Sequence, residues 1–153
     1  MPSQKIKLLF FETYLARINN SLGNRTFKNI YATVNGRKKD ILENGRVACA
    51  IFVSSLLMIH KLIPEIHATV TGTVIALKKA GWKKISKPRL GCIIVWAEET
   101  PPAKNHGHKH IGFYIGQNQA ISNSASKGYP VKHHLTFKNK RKIELMLWHN
   151  KLE

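Results

Sequence analysis

From Lys109 to Ser124 polar and apolar positions alternate. Ile111, Phe113 and Ile115 share one face of an extended segment, and His110, Gly112 and Tyr114 share the other. A tight turn at Gln117-Asn118 returns the chain as a second strand. One face of this hairpin is core-bound. The other carries an imidazole, a bare stretch of backbone and a phenol.

Upstream the spacing changes to three and four. Ile6, Leu9, Phe10, Tyr14, Leu15 and Ile18 predict a helix from about Gln4 to Leu22, ended by Asn19-Asn20-Ser21 and Gly23. Thr26 to Asn35 is a short strand or an ordered loop, closed by the turn signal Asn35-Gly36. Val47 to Ile63 is apolar on nearly every side, as in a central buried helix, and Pro64 stops it. A further helix over His67 to Trp82 begins through Thr71-Gly72-Thr73, buries Val74, Leu77 and Ala80, and stops at Gly81. Lys87 to Gly91 turns the chain into the β-branched strand Cys92 to Trp96, and Glu98 to Asn105 reads as a loop. Two more strands follow, Pro130 to Phe137 and Ile143 to Trp148. Helices come first and an antiparallel sheet second, which predicts an α+β fold.

Composition narrows the class. At 153 residues and 43% hydrophobic content, one domain can bury its own core. Residues 1–44 form its N-terminal helix and connecting segment, and 45–153 form the core. No apolar run reaches the roughly 18 to 20 residues of a membrane span. Leu8 to Phe11 is interrupted too soon by Glu12 and Arg17 for a secretory segment. No signal peptide is seen, so the chain is cytoplasmic by default, with a phage-borne or effector protein as alternatives. Twenty-five Lys and Arg against 8 Asp and Glu give a formal charge of +17. Such a surface attracts polyanions such as nucleic acid, an acidic membrane or a wall polymer, or is merely solvated.

Chemistry points first to Cys49, in the opening turn of the buried helix just after Asn44-Gly45. A thiol there feels the positive end of the helix dipole and unpaired N–H groups. The competing reading is a packed apolar thiol. Cys92 lies far off in sequence, and both cysteines are expected as free thiols rather than a disulfide. His110, opening its strand, is a candidate base for the thiol, or a histidine bonded to backbone at a strand end. His106, His108 and His110 share a face if extended. With Glu98, Glu99 and His133-His134 they make a zinc site the rival chemistry, although no metal or other cofactor is expected. Tyr114, Trp82 and Trp96 are candidates for stacking on bases, but fall on core or strand positions.

The order of these pieces carries a resemblance. Cys49 to Ser54 heads a buried helix. Pro88-Arg89-Leu90-Gly91 leads into the strand ending at Trp96, and His110-Ile111-Gly112-Phe113-Tyr114-Ile115-Gly116 follows. Over roughly Gly45 to Ser124 this resembles the NlpC-type peptidases of the papain-like superfamily. The chain departs from their pattern with Ala48-Cys49-Ala50 in place of Asp-Cys-Ser and with Cys92 where Asp is favoured. The third polar residue, often His in those enzymes, aligns without a gap on Ser122; Asn123, one position on, is preferred. The resemblance implies a papain-like domain whose Cys49 helix packs on a sheet of roughly four to six strands. It implies a cysteine hydrolase acting on an amide bond through a thiol acyl-enzyme. Cys49 is then the nucleophile, His110 the base, and Asn123 or Ser122 the orienting residue. Peptidoglycan stem peptide is the implied substrate. The alternative is a non-catalytic basic module of the same fold that binds an anionic polymer such as nucleic acid.

Overall fold

Every residue from Ala50 to Leu57 is buried on helix α2 (Cys49–Ile59), as a helix that is apolar all round requires. The computed structural model describes residues 1–99 and 108–153. Helix α1 (Phe10–Asn20) comes first, followed by a separate hairpin of β1 (Tyr31–Val34) and β2 (Arg37–Asp40), then α2 and α3 (Val70–Lys79). The main sheet contains β3 (Lys83–Lys84), β4 (Ile93–Trp96), β5 (His110–Gly116), β6 (Gln119–Asn123), β7 (Pro130–His134) and β8 (Ile143–Trp148). Its order is β3-β8-β4-β5-β6-β7, with neighbours antiparallel. The fold is α+β.

Helix α2 packs over β5 and β6, where the Phe52 and Phe113 rings meet edge to face at 5.6 Å. Tyr14 of α1 reaches the same Phe113 ring at 6.1 Å and donates from its hydroxyl to Gly91 O at 2.7 Å. Phe52, Phe113, Ile93, Ile111 and Ile121 are fully buried. Truncating either phenylalanine to alanine would cost about 3–5 kcal/mol. The opposite face of the sheet is covered too, by Trp96 and Phe137, whose rings lie 5.4 Å apart.

Several boundaries differ from the pattern, each for a physical reason. Helix α1 starts at Phe10 rather than near Gln4. Ile6 and Leu9 are 82% and 56% exposed, and helical spacing without a surface to pack on does not hold a helix. Helix α2 ends at Ile59, ahead of Pro64, because Lys61 takes a left-handed φ of 55° and turns Leu62 and Ile63 back into the core. Thr71-Gly72-Thr73 lies inside α3, whose cap is Thr69, accepting from Gly72 N at 3.1 Å. Within Thr26 to Asn35 the strand is Tyr31–Val34, and its partner Arg37–Asp40 carries no apolar residue to betray it. The Gln117-Asn118 turn has φ of 51° and 57°, the left-handed pair that closes a tight hairpin. No helix among the described residues is long and apolar enough to cross a membrane.

Candidate active site

Cys49 is the first helical residue of α2, and the loop before it is tied down from several sides. Asp40 accepts from the amides of Ile30, Leu42 and Asn44 at 3.1, 3.1 and 2.8 Å. Asn123 Nδ2 donates to Gly45 O at 2.7 Å. Gly45 has φ +86°, and a Cβ there would run into the Gly128 backbone, so glycine is required. The cap position is Ala48, which has no side-chain oxygen to offer the first-turn N–H groups. Two of those groups, the N–H of Cys49 and of Ala50, face the Cys49 sulfur.

The thiol is partly exposed and free. Burial raises its pKa, while the N–H groups of Ile111, Ala50 and Cys49 itself, with the charge of Arg141, pull it back. The Ile111 amide belongs to the residue after His110, so the sulfur lies at the head of β5. Helix α2 packs on the Ile111 and Phe113 face, whereas His110 belongs to the other face. Thiol and imidazole therefore border one cleft from the two sides of the strand's start. No hydrogen bond joins them in this resting arrangement, and apo sites are commonly looser than the reacting complex.

His110 is held from behind. Its Nε2 lies 2.8 Å from Ser122 Oγ, and Ser122 Oγ lies 2.7 Å from His133 Nε2. The other nitrogen of His133, Nδ1, meets His134 O at 2.8 Å. Trp96 lies 5.5 Å from both imidazoles, and Phe137 stacks on His133 at 4.0 Å. This enclosure, then the nearby charge of Arg141 and His133, pushes the His110 pKa down to about 3. Burial thus favours the neutral form of both the thiol and the imidazole.

Cys49 and His110 line one cleft of about 980 Å³, together with Arg46, Glu99, Lys109 and Arg141. Arg141 is the strongest fixed charge near the sulfur. Its Nε pairs with Glu99 Oε1 at 3.4 Å, and its side chain is only 14% exposed. A partly covered guanidinium there, although paired with Glu99, adds positive charge to the cleft.

The other candidates fall elsewhere. Asn123 lies on the α2 face of β6 and holds the Gly45 carbonyl, whereas Ser122 is the hairpin residue bonded to His110. Gly112 leaves no room for a side chain against β6, since a Cβ would lie 2.6 Å from Ile121 O and 2.7 Å from Ser122 Cβ. Cys92 is fully buried in the core, and burial pushes its thiol up to about 11. Trp96 and Trp82 are buried, donating to Leu135 O at 2.7 Å and Leu62 O at 2.8 Å. Neither ring is open to stack on a base; Tyr114 is partly buried against the core. His106 lies outside the described residues. Among the described residues no group of three or more His, Cys, Asp or Glu stands close enough to hold a metal ion.

Sequence reasoning did not find His133 or Arg141 as members of the site. The signal for His133 is parity across three strands. Gly112 pairs with Ser122 and Ser122 with Val131, so His133, two positions on, shares their face. That signal appears only once the registers are known. No family model matches the chain, and no curated protein matches it.

Proposed function

We propose that the protein is a cysteine hydrolase of papain-like architecture that cleaves an amide bond through a thiol acyl-enzyme. The observation that carries this reading is the convergence of Cys49 and His110 on one cleft, with His110 Nε2 tied back to Ser122. A nucleophile at an uncapped helix start, a base within the same cleft and a residue behind the base are the parts such chemistry needs. The neutral thiol gives its proton to His110 Nδ1 as sulfur adds to the substrate carbonyl. The Cys49 N–H, which has no carbonyl partner at the helix start and faces the sulfur, stabilises the oxyanion. His110 returns the proton to the departing amine, leaving an acyl group on sulfur. It then takes a proton from water, whose oxygen attacks the acyl carbon and frees the acid and the thiol.

Ser122, rather than Asn123, is the orienting residue in this scheme. The resemblance to NlpC-type enzymes makes peptidoglycan stem peptide the leading substrate, and Arg141 in the cleft suits a peptide that carries a carboxylate. The test is incubation with purified muropeptides and mass-spectrometric detection of stem-peptide cleavage. Cleavage by the native protein and none by Cys49→Ser supports the reading; equal products from both overturn it.

A second reading is favoured by the β1–β2 hairpin. Arg37, Lys38 and Lys39 are exposed there, and Lys38 Nζ sits 4.8 Å from the centre of the exposed Tyr31 ring. A basic module using this wing to hold an anionic polymer would bind nucleic acid with a steep salt dependence and would not need Cys49.

A further inference from the structure

We propose that His133 is a positioning residue which, through Ser122, dictates the nitrogen of His110 that carries the proton. The inference rests on the reading of His110 as the base for Cys49.

The argument starts at the fixed end of the chain of bonds. A carbonyl oxygen only accepts, so His133 Nδ1, 2.8 Å from His134 O, must carry a hydrogen. A neutral His133 then presents a lone pair at Nε2, and the Ser122 hydroxyl 2.7 Å away must donate to it. That uses the only hydrogen Ser122 has. Its oxygen can then only accept from His110, whose Nε2 at 2.8 Å must be the protonated nitrogen. The lone pair of His110 is left on Nδ1. All three bonds point the same way, and the direction is set at a backbone carbonyl.

Among the described residues, the side chains shown against the two rings do not compete for these hydrogens. Trp96 and Phe137 present ring faces and edges, and Arg141, whose charge reaches both histidines, has donors only. The Trp96 indole N–H is committed to Leu135 O at 2.7 Å. His134 turns its Nδ1 to the amides of Thr136 and Lys138 at 3.1 and 3.2 Å, so it takes no part in the chain.

A protonated His133 would remove this constraint. Its Nε2 would donate to Ser122, the hydroxyl would be free to turn to His110 Nε2, and a neutral His110 that accepts it would hold its hydrogen on Nδ1. That nitrogen could no longer receive the thiol proton. Burial, followed by the charges of His134 and Arg141, keeps His133 below the usual histidine range against the pull of the His134 carbonyl. The productive direction therefore holds at neutral pH.

The test uses the full-length protein with ¹⁵N-labelled histidine and long-range NMR correlations, which distinguish the two tautomers. At pH 7.5 His110 should show hydrogen on Nε2 and His133 hydrogen on Nδ1. His133→Phe keeps a ring against Phe137 and removes the acceptor; Ser122→Ala removes the link by a single atom. Either variant should move the His110 signals toward a tautomer mixture and slow iodoacetamide labelling of Cys49 by about tenfold, the size of one lost hydrogen bond. A His110 that carries its hydrogen on Nδ1 in the native protein overturns the inference. So does a tautomer unchanged in both folded variants. If the tautomers shift as stated but His110→Ala leaves labelling unaltered, the base reading fails, and the inference fails with it for that separate reason.

Discussion

The enclosure of His110 predicts how stability depends on acid. Its pKa moves from an ordinary 6.5 to about 3 on folding, because burial and the charges of Arg141 and His133 disfavour the imidazolium. The unfolded chain therefore binds a proton first as pH falls. The stabilising contribution of the neutral ring is complete above about pH 6.5 and is lost progressively toward pH 3. Counted in full, the shift corresponds to about 5 kcal/mol at ~1.4 kcal/mol per pH unit. The side chain is partly open to the cleft, so about 2–3 kcal/mol is expected. The perturbation is His110→Gln, which cannot titrate and keeps a polar group beside Ser122. Urea unfolding of native protein and variant at steps from pH 7.5 to 4 reads the contribution of His110 together with its coupling to His133, since the remaining histidines titrate in both. The native protein should lose about 2–3 kcal/mol more than the variant over that range. Parallel stability curves would refute the claim that His110 is held neutral by its surroundings.

Two other substitutions separate structural from chemical roles. Asn123→Ala leaves the buried Gly45 carbonyl without its donor and should cost about 1–3 kcal/mol in urea unfolding, while the pH profile of Cys49 labelling in the folded protein stays unchanged. A changed profile without lost stability would return Asn123 to the imidazole. Gly112→Ala forces a methyl group against Ile121 O, Ser122 Cβ and, at 3.1 Å, Trp96 Cζ3. It should lower stability by about 1–3 kcal/mol and disturb the His110–Ser122 bond, read from the histidine ¹⁵N signals; an unaffected variant would mean that β5 and β6 are less tightly packed than described.

What could be read from the sequence followed from strong local signals. Apolar residues on nearly every side of Val47 to Ile63 predict a buried helix, and alternation around Phe113 with a tight turn at Gln117-Asn118 predicts a hairpin. These two elements bring Cys49 and His110 to the same cleft. What could not be read depended on partners. Arg37 to Asp40 has no apolar residue, so its strand is visible only through its pairing with Tyr31 to Val34. Ile6 and Leu9 keep helical spacing but find little to bury against. The choice between Ser122 and Asn123 turns on one position of register, which reverses the face of every side chain on β6. His133 needed two registers at once. Arg141 precedes β8, on a segment whose charge reads as solvated surface until its side chain is seen folded into the cleft.

The central claim is that Cys49 is a nucleophile served by His110, and thiol labelling addresses it most directly. Iodoacetamide at neutral pH, followed by mass spectrometry of the peptides, gives separate rates for Cys49 and Cys92. The account predicts that Cys49 reacts far faster than the buried Cys92, whose thiol is pushed up to about 11, and that His110→Ala slows Cys49 by at least about tenfold. Equal, slow labelling of the two cysteines, or a Cys49 rate indifferent to the loss of His110, would contradict it.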